Sequence, residues 1–285
     1  MALDAGIPGE QLGMAFKVKF WGVRGTIACP GPKHAIFGGN TSCIEVSMGG
    51  EKVIFDAGTG IRLLGNWMLK KGARQATILM SHTHWDHISG FPFFKPAFDE
   101  DCKFTIMAGH LNGRTIQEVF SEQMIAPYFP VPIDIMNADI KFQDFKAGDS
   151  FDLTDKVHVR TAALNHPGGA TGYRLEFDGK SMCYVTDTEH VPGKPDENVL
   201  GLIEGADLVI YDCSYEDSEF AAKVNWGHST WQEGVRLATA ANVKRLAIFH
   251  HDPDHEDDKM EEIECKAREM WAGSFVAREN VRLVL

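Results

Sequence analysis

The chain has 285 residues, 44% hydrophobic and 24% charged, the length and composition of a globular protein that buries a sizeable core as one large domain or two small ones. Its formal net charge of −12 argues against gripping long nucleic acid, which needs basic surface. Small anionic substrates stay open to it, because bound divalent cations would invert the local field.

Residues 1–15 read as a tail and residues 16–285 as one domain. Alternation predicts a strand at Lys17–Val23, then a Gly/Pro-rich stretch from Gly25 to Asn40. Strands at Cys43–Met48 and Lys52–Asp56 meet at the Gly49-Gly50 turn. Ile61–Lys71 reads as a helix and Ala76–Met80 as a buried strand. The segment 92–135 should hold a strand at Phe104–Met107, a helix at Gly113–Ile125 and the proline-punctuated loop APYFPVPID; it is the candidate for a lid or a subunit interface. Strands follow at Val157–Ala163, and at Gly172–Phe177 and Ser181–Val185 around an Asp178-Gly179 hairpin turn. Then come a strand at Asp207–Tyr211, a helix at Thr230–Ala241, a strand at Arg245–Phe249, a helix at Glu256–Trp271 and a strand at Val281–Leu285. Early hairpins followed by alternating strands and helices predict a layered α/β fold with mixed sheets.

Six scattered cysteines (Cys29, Cys43, Cys102, Cys183, Cys213, Cys265) form no C-x-x-C pair, as expected of free thiols in a reducing compartment. The start MALDAGIPGEQLGMAF lacks a signal-peptide pattern, and no apolar run reaches membrane-spanning length. A cytoplasmic protein is expected.

The chemistry concentrates in SHTHWDH, Ser81–His87, directly after the apolar run ATILM. Side chains two apart on an extended or sharply turning segment, here His82 and His84, converge on one side, while Asp86 and His87 project toward a second point. Imidazole and carboxylate suit zinc, manganese or iron. His166, Asp187 and His250 each stand where an apolar strand gives way to a loop, the usual position for ligands on such a scaffold.

The set SHTHWDH, NHPGGATGYR, YVTDT, GHST and FHHDP, in that order from about Lys17 onward, resembles the metallo-β-lactamase superfamily. It is similar in particular to the phosphodiesterase branch of ribonuclease Z–type endonucleases and phosphoribosyl cyclic phosphodiesterases. The resemblance implies a four-layer αβ/βα sandwich and two divalent metal ions, zinc ahead of manganese or iron. It implies His82, His84 and His166 as ligands of one ion and Asp86, His87 and His250 as ligands of the other, with Asp187 bridging. His251 competes with His250, which is preferred as the first residue beyond its strand. Two adjacent cations suit hydrolysis by an activated water with a clamped phosphoryl oxygen, and Asp86 could also orient that nucleophile.

His228 of GHST has no place in that ligand set; in the family this histidine contacts the phosphate and assists the leaving oxygen. The alternative is a helix-start residue, with Ser229 or Thr230 as N-cap. Asp212 is expected to fix the tautomer of a ligand or of His228. Arg24 and Asn40 are candidates to reach a substrate phosphate, and Trp85, Trp226 and Trp231 either stack a nucleobase or pack in the core. The acidic run DPDHEDD at 252–258 reads as a helix start with solvated carboxylates.

The expected activity is hydrolysis of a small phosphodiester, linear or cyclic. The alternatives are a carboxylic-ester, lactone or thioester hydrolase on the same metals and, ranked lower, a tRNA 3′-processing endonuclease, since no long basic Gly/Pro-rich arm is visible. The expected partner is that small substrate, with no long nucleic acid and no membrane; a homodimer is a further option.

Overall fold

The computed structural model describes residues 15–109 and 111–285; the expected tail falls outside the described residues up to residue 14. Among them, one seven-stranded sheet holds β1 (Lys17–Gly22), β2 (Cys43–Met48), β3 (Glu51–Phe55), β4 (Gln75–Met80), β5 (Lys103–Ala108), β6 (Asp139–Asp144) and β14 (Arg282–Val284), in the order β14-β1-β2-β3-β4-β5-β6. The other holds β7 (Ser150–Asp152), β8 (His158–Leu164), β9 (Ala170–Phe177), β10 (Lys180–Val185), β11 (Leu208–Asp212), β12 (Leu246–Phe249) and β13 (Ser274–Val276), in the order β13-β12-β11-β10-β9-β8-β7. Each sheet is half hairpins and half parallel: β3 to β6 pair in parallel, as do β10 to β13.

The parallel strands are apolar on both faces because both faces are covered. Leu208 and Ile210 of β11 point between the sheets, with Phe20, Phe55, Leu79, Tyr173, Tyr184 and Phe249. Val209 and Tyr211 of the same strand point outward, toward α6 (Trp231–Ala240) and α7 (Asp257–Met270), which contribute Val235, Ile263 and Ala267. On the other side, Ile61, Leu64 and Met68 of α1 (Gly60–Lys71) cover Ile54, Ile78 and Ile106. Each such side chain, fully buried, contributes roughly 1.5–3 kcal/mol. The result is the expected four-layer αβ/βα sandwich. The Asp178-Gly179 turn also forms, with both residues at positive φ (49° and 70°) between paired Phe177 and Lys180, as a two-residue hairpin of that twist requires.

Several boundaries move. The expected helix at Gly113–Ile125 shrinks to α3 (Ile116–Gln123), because Thr115 and Glu118 close a reciprocal capping box at its start. β6, β7 and β13 and the short helices α4 (Glu197–Ile203) and α5 (Asp217–Phe220) are absent from the sequence reading. β6 is an edge strand carrying Asp139, Lys141 and Asp144, the charge by which edges avoid further pairing and which masks the alternation of Ile140 and Phe142. Within 92–135, β5 is an interior strand, while Phe93, Ile125 and Tyr128 are exposed. The acidic run is not wholly solvated: Asp257 is buried and accepts the backbone N–H groups of Ile36 and Phe37. Among the described residues no helix is long and apolar enough to cross a membrane.

Candidate metal centre

The site lies where strands of both sheets end. β4 stops at Met80, the chain continues through Ser81–His84, and one turn of helix, α2 (Trp85–Ile88), begins with His84 as its extended N-cap. That change of backbone lets one short segment aim four groups at two points. His82 and His84 meet His166 from beyond β8, with His84 Nδ1 3.0 Å from His166 Nε2. Asp86 and His87, on the helical turn, meet His250 from beyond β12: Asp86 Oδ2 lies 3.3 Å from His87 Nε2 and 3.2 Å from His250 Nε2. Asp187, past the end of β10, stands between the groups. Its Oδ1 is 3.2 Å from His87 Nε2 and 3.3 Å from His250 Nε2, and its Oδ2 is 3.6 Å from His82 Nε2 and 3.8 Å from His166 Nε2.

His251 turns the other way, donating through Nε2 to the Ala277 carbonyl (2.8 Å) with its ring edge-on to Phe37. Gly25 and Gly227 lay bare backbone against rings of the cluster: a Cβ at Gly25 would sit 2.4 Å from the His250 ring, and one at Gly227 would sit 2.3 Å from His166.

Four of the five converging rings are held from behind at the nitrogen that faces away from the cluster. His166 Nδ1 donates to the Gly227 carbonyl (2.8 Å), His87 Nδ1 to Asp56 Oδ2 (2.7 Å), and His82 and His250 meet the hydroxyls of Ser81 and Ser214 (both 3.1 Å). Such contacts fix tautomer and aim the other nitrogen's lone pair inward. Asp56 holds His87 directly and His82 through Ser81, and it escaped the sequence reading. Fully buried, it accepts the Ser81 N–H (2.7 Å), the Ser81 hydroxyl (2.8 Å) and the Tyr184 hydroxyl (2.8 Å) besides His87. The one available signal was its position, an Asp at the end of a buried strand, two residues before Gly58.

The cluster has the chemistry of a cation site. His82 Nε2 and His87 Nε2 are buried without a hydrogen-bond partner, although carboxylate oxygens lie 3.2–3.6 Å away. Electron-pair donors that converge without protons between them fit a metal. Burial, then the neighbouring His87, pushes His82 well below the ordinary histidine range; burial likewise lowers His84 and His166. For His87 burial acts the same way but is outweighed by Asp86, Asp187 and Asp56, which hold it well above that range. Asp187 shows the converse: its burial is overcome by His250, His87 and His82, and its carboxyl stays ionised far below the usual range. Asp86 is likewise depressed, by His87 and His250 against its own burial. A cation would occupy the place of the protons this cluster must otherwise share.

His228 sits beside the cluster. Its Nδ1 is 2.9 Å from Asp212 Oδ2 and its ring stacks on His250 at 4.9 Å. Asp212, fully buried, is itself fixed by the Thr188 N–H (3.1 Å) and by Ser214, whose N–H (3.1 Å) and hydroxyl (2.8 Å) both reach Oδ1. Burial opposes the charged imidazole, yet Asp212, then Asp187 and Asp86, raise His228 to about 9. The helix-start reading has a structural counterpart too, since Thr230 caps α6 through its hydroxyl (Glu233 N–H, 3.1 Å).

Arg24 and Asn40 do not reach the site. Arg24 is fully buried and donates to the carbonyls of Gly38, Asp252 and His255, and Asn40 is tied to Glu279 and Thr59. Trp231 is core, its indole N–H on Glu216 (3.3 Å), whereas Trp85 and Trp226 are exposed beside the cluster.

A sequence model described as the beta-lactamase superfamily domain matches residues 51–251. Ribonuclease Z of Bradyrhizobium sp. (strain ORS 278) is 25% identical over 84% of this chain and 92% of its own. Zinc-bound PqqB from Methylobacterium extorquens superposes with a TM-score of 0.72 at 18% identity, covering 94% of this chain and 100% of its own. A diphosphatase of the PhnP family gives 0.68 at 18% identity, over 94% and 97%. The match spans the strands that carry SHTHWDH, His166, Asp187 and His250, and with it the chain belongs to the metallo-β-lactamase superfamily as a metal-dependent hydrolase.

Proposed function

We propose that the chain is a phosphodiesterase with two divalent cations, hydrolysing a small linear or cyclic phosphodiester. His82, His84 and His166 would hold one cation, Asp86, His87 and His250 the other, and Asp187 would contact both. Zinc is the first choice for this donor set, with manganese or iron as alternatives. Bound there, the cations supply Lewis acidity and lower the pKa of water.

The observation that carries the reading is the His228–Asp212 pair beside the cluster. An imidazole held through Nδ1 by a buried carboxylate has one task left, at Nε2. Water attacks phosphorus, the ester P–O bond breaks, and the departing oxygen takes its proton from His228 Nε2, while Asp212 keeps the ring oriented and supports its charge. Asp86, with Oδ2 fixed by the Thr26 N–H at 2.7 Å, orients the attacking water. An ester, lactone or thioester hydrolase would not need this histidine.

The test is His228→Ala. The variant keeps its metals but loses roughly 10²–10⁴-fold in turnover of an alkyl or ribose phosphodiester, and visibly less with a nitrophenyl diester, whose leaving group departs without a proton. Metals retained with no loss on either substrate would return His228 to a structural role and overturn the reading. Equal losses on both would assign it to phosphate binding.

The name of the curated relatives supports a second reading, tRNA 3′-end processing. Against it stands the net charge of −12. A precursor tRNA and a small phosphodiester compared at matched salt distinguish the two: efficient, site-specific trimming would reverse the order.

A further inference from the structure

Next to His166 lies a cavity of about 440 Å³, within the range of small-molecule sites. Its walls come from three segments: residues beyond β8, residues beyond β10, and the end of α5 with the loop after it. The same three segments present His166, Asp187 and His228, so the cavity and the metal cluster share one edge of the molecule.

We propose that this cavity receives the uncharged, planar base of a nucleoside phosphodiester, and that Glu189 recognises an exocyclic amine on it. The proposal rests on the phosphodiesterase reading and names the substrate class. Pro167, Val191, Pro192 and Val224 make apolar walls, and Val191 and Val224 stay 53% and 46% exposed there. Phe220 is locked in a stacked pair with His190 (4.0 Å, 23°). His190 is pinned through Nδ1 to the Ser229 hydroxyl (2.8 Å), which also takes the Tyr211 hydroxyl (3.1 Å). Apolar walls backed by a fixed, buried aromatic pair suit an uncharged ring system.

The polar groups decide which ring. The lining contains no lysine or arginine among the described residues, and it does contain the Glu189 carboxylate, so a second phosphate or a carboxylate is disfavoured. Glu189 is preorganised. Its Oε2 accepts the Gly227 N–H (2.9 Å), its backbone N–H donates to the Asn165 carbonyl (2.7 Å), and its own carbonyl accepts Asn165 Nδ2 (2.8 Å). The other carboxylate oxygen, Oε1, would accept from a donor such as an exocyclic amine. The carboxamide of Asn225, also in the lining, can pair with a ring nitrogen and its neighbour. The bond from Gly227 to Glu189 also couples this wall to the loop carrying His228, so an occupied cavity sets the phosphate beside that histidine.

The experiment uses the metal-loaded protein and two readouts. In the first, kcat/KM is measured for adenosine 2′,3′-cyclic phosphate and for methyl nitrophenyl phosphate, which carries no base, in the wild type and in Val224→Trp. Filling the cavity should lower the ratio of the two values at least tenfold. In the second, adenosine alone is titrated by calorimetry; it should bind the wild type, and both Val224→Trp and Glu189→Ala should weaken it by about tenfold. An unchanged ratio, or no adenosine binding to the wild type, overturns the proposal. If no phosphodiester is turned over at all, the phosphodiesterase reading fails by itself, and adenosine titration still decides whether the cavity takes a base.

Discussion

Asp56→Asn isolates the contribution of a residue that touches no substrate. The carbonyl of the asparagine keeps the Ser81 N–H, now 2.7 Å from Oδ1, while its NH₂ replaces Oδ2, which accepts from Ser81 Oγ, Tyr184 and His87 Nδ1. The two hydroxyls can rotate and accept instead. His87 cannot do so without moving its proton: an Nδ1 that accepts must carry its hydrogen on Nε2, the atom that faces Asp86 and Asp187. The inward lone pair is then lost. Partners of this kind are worth 10- to 100-fold in metal affinity, about 1.4–2.8 kcal/mol. The backbone tolerates the change, because Asp56 has φ 58°, a conformation asparagine adopts as readily as aspartate. Competition of zinc against a chelating indicator gives the affinity, and thermal unfolding of the metal-free variant shows that it folds. A folded Asp56→Asn that binds zinc within twofold of wild type would refute this account of how the site is set.

Elemental analysis after reconstitution should give about two metals per chain; Asp187→Ala should lower occupancy at both positions, His250→Ala chiefly at one, and His251→Ala at neither. A larger loss from His251→Ala would reassign the ligand. In the metal-free protein, the ion pair of His228 with Asp212 raises the histidine to about 9. Its contribution to stability is therefore full below the unfolded value near 6.5 and is lost as pH rises from there through about 9. His228→Gln should flatten the fall in Tm over that window; an unchanged slope would contradict the pairing.

The fold was legible wherever a buried strand declared itself through uninterrupted apolar residues, as ATILM and LVIY do, and the candidate site was legible because its converging histidines and aspartates follow such runs closely. What hid was of two kinds. Edge and short elements such as β6 and β13 carry charge or are only a few residues long, so they lack a periodic signal. Long-range roles were hidden as well. Arg24 and Asn40 look like loop residues free to reach a ligand, yet they fasten the Gly/Pro-rich segment to backbone more than 200 residues away and to Glu279. Asp56 looks like a strand end and is the acceptor for four donors. No local pattern encodes which distant hydroxyl or imidazole will arrive.

The backbone itself marks the site. Asp56, Asp187 and His250 have φ of 58°, 56° and 62°, and Thr26, whose N–H reaches Asp86, has 64°. The left-handed region costs an ordinary residue roughly 1–2 kcal/mol, and glycine would relieve it. At the first three positions the chain has just left β3, β10 and β12, and one left-handed step breaks the extended run and swings the next side chain out of the sheet's alternation. Glycine would turn as well but would bring no ligand or hydrogen-bond acceptor. Strained residues persist where surrounding contacts over-determine them, and here each does: four donors on Asp56, Ser214 on His250, and the converging imidazoles on Asp187. Relief of this strain by Asp187→Gly would stabilise the backbone locally while removing the carboxylate that both halves of the cluster face, so conformational preference and ligand chemistry pull in opposite directions at this position, and the chain has kept the ligand.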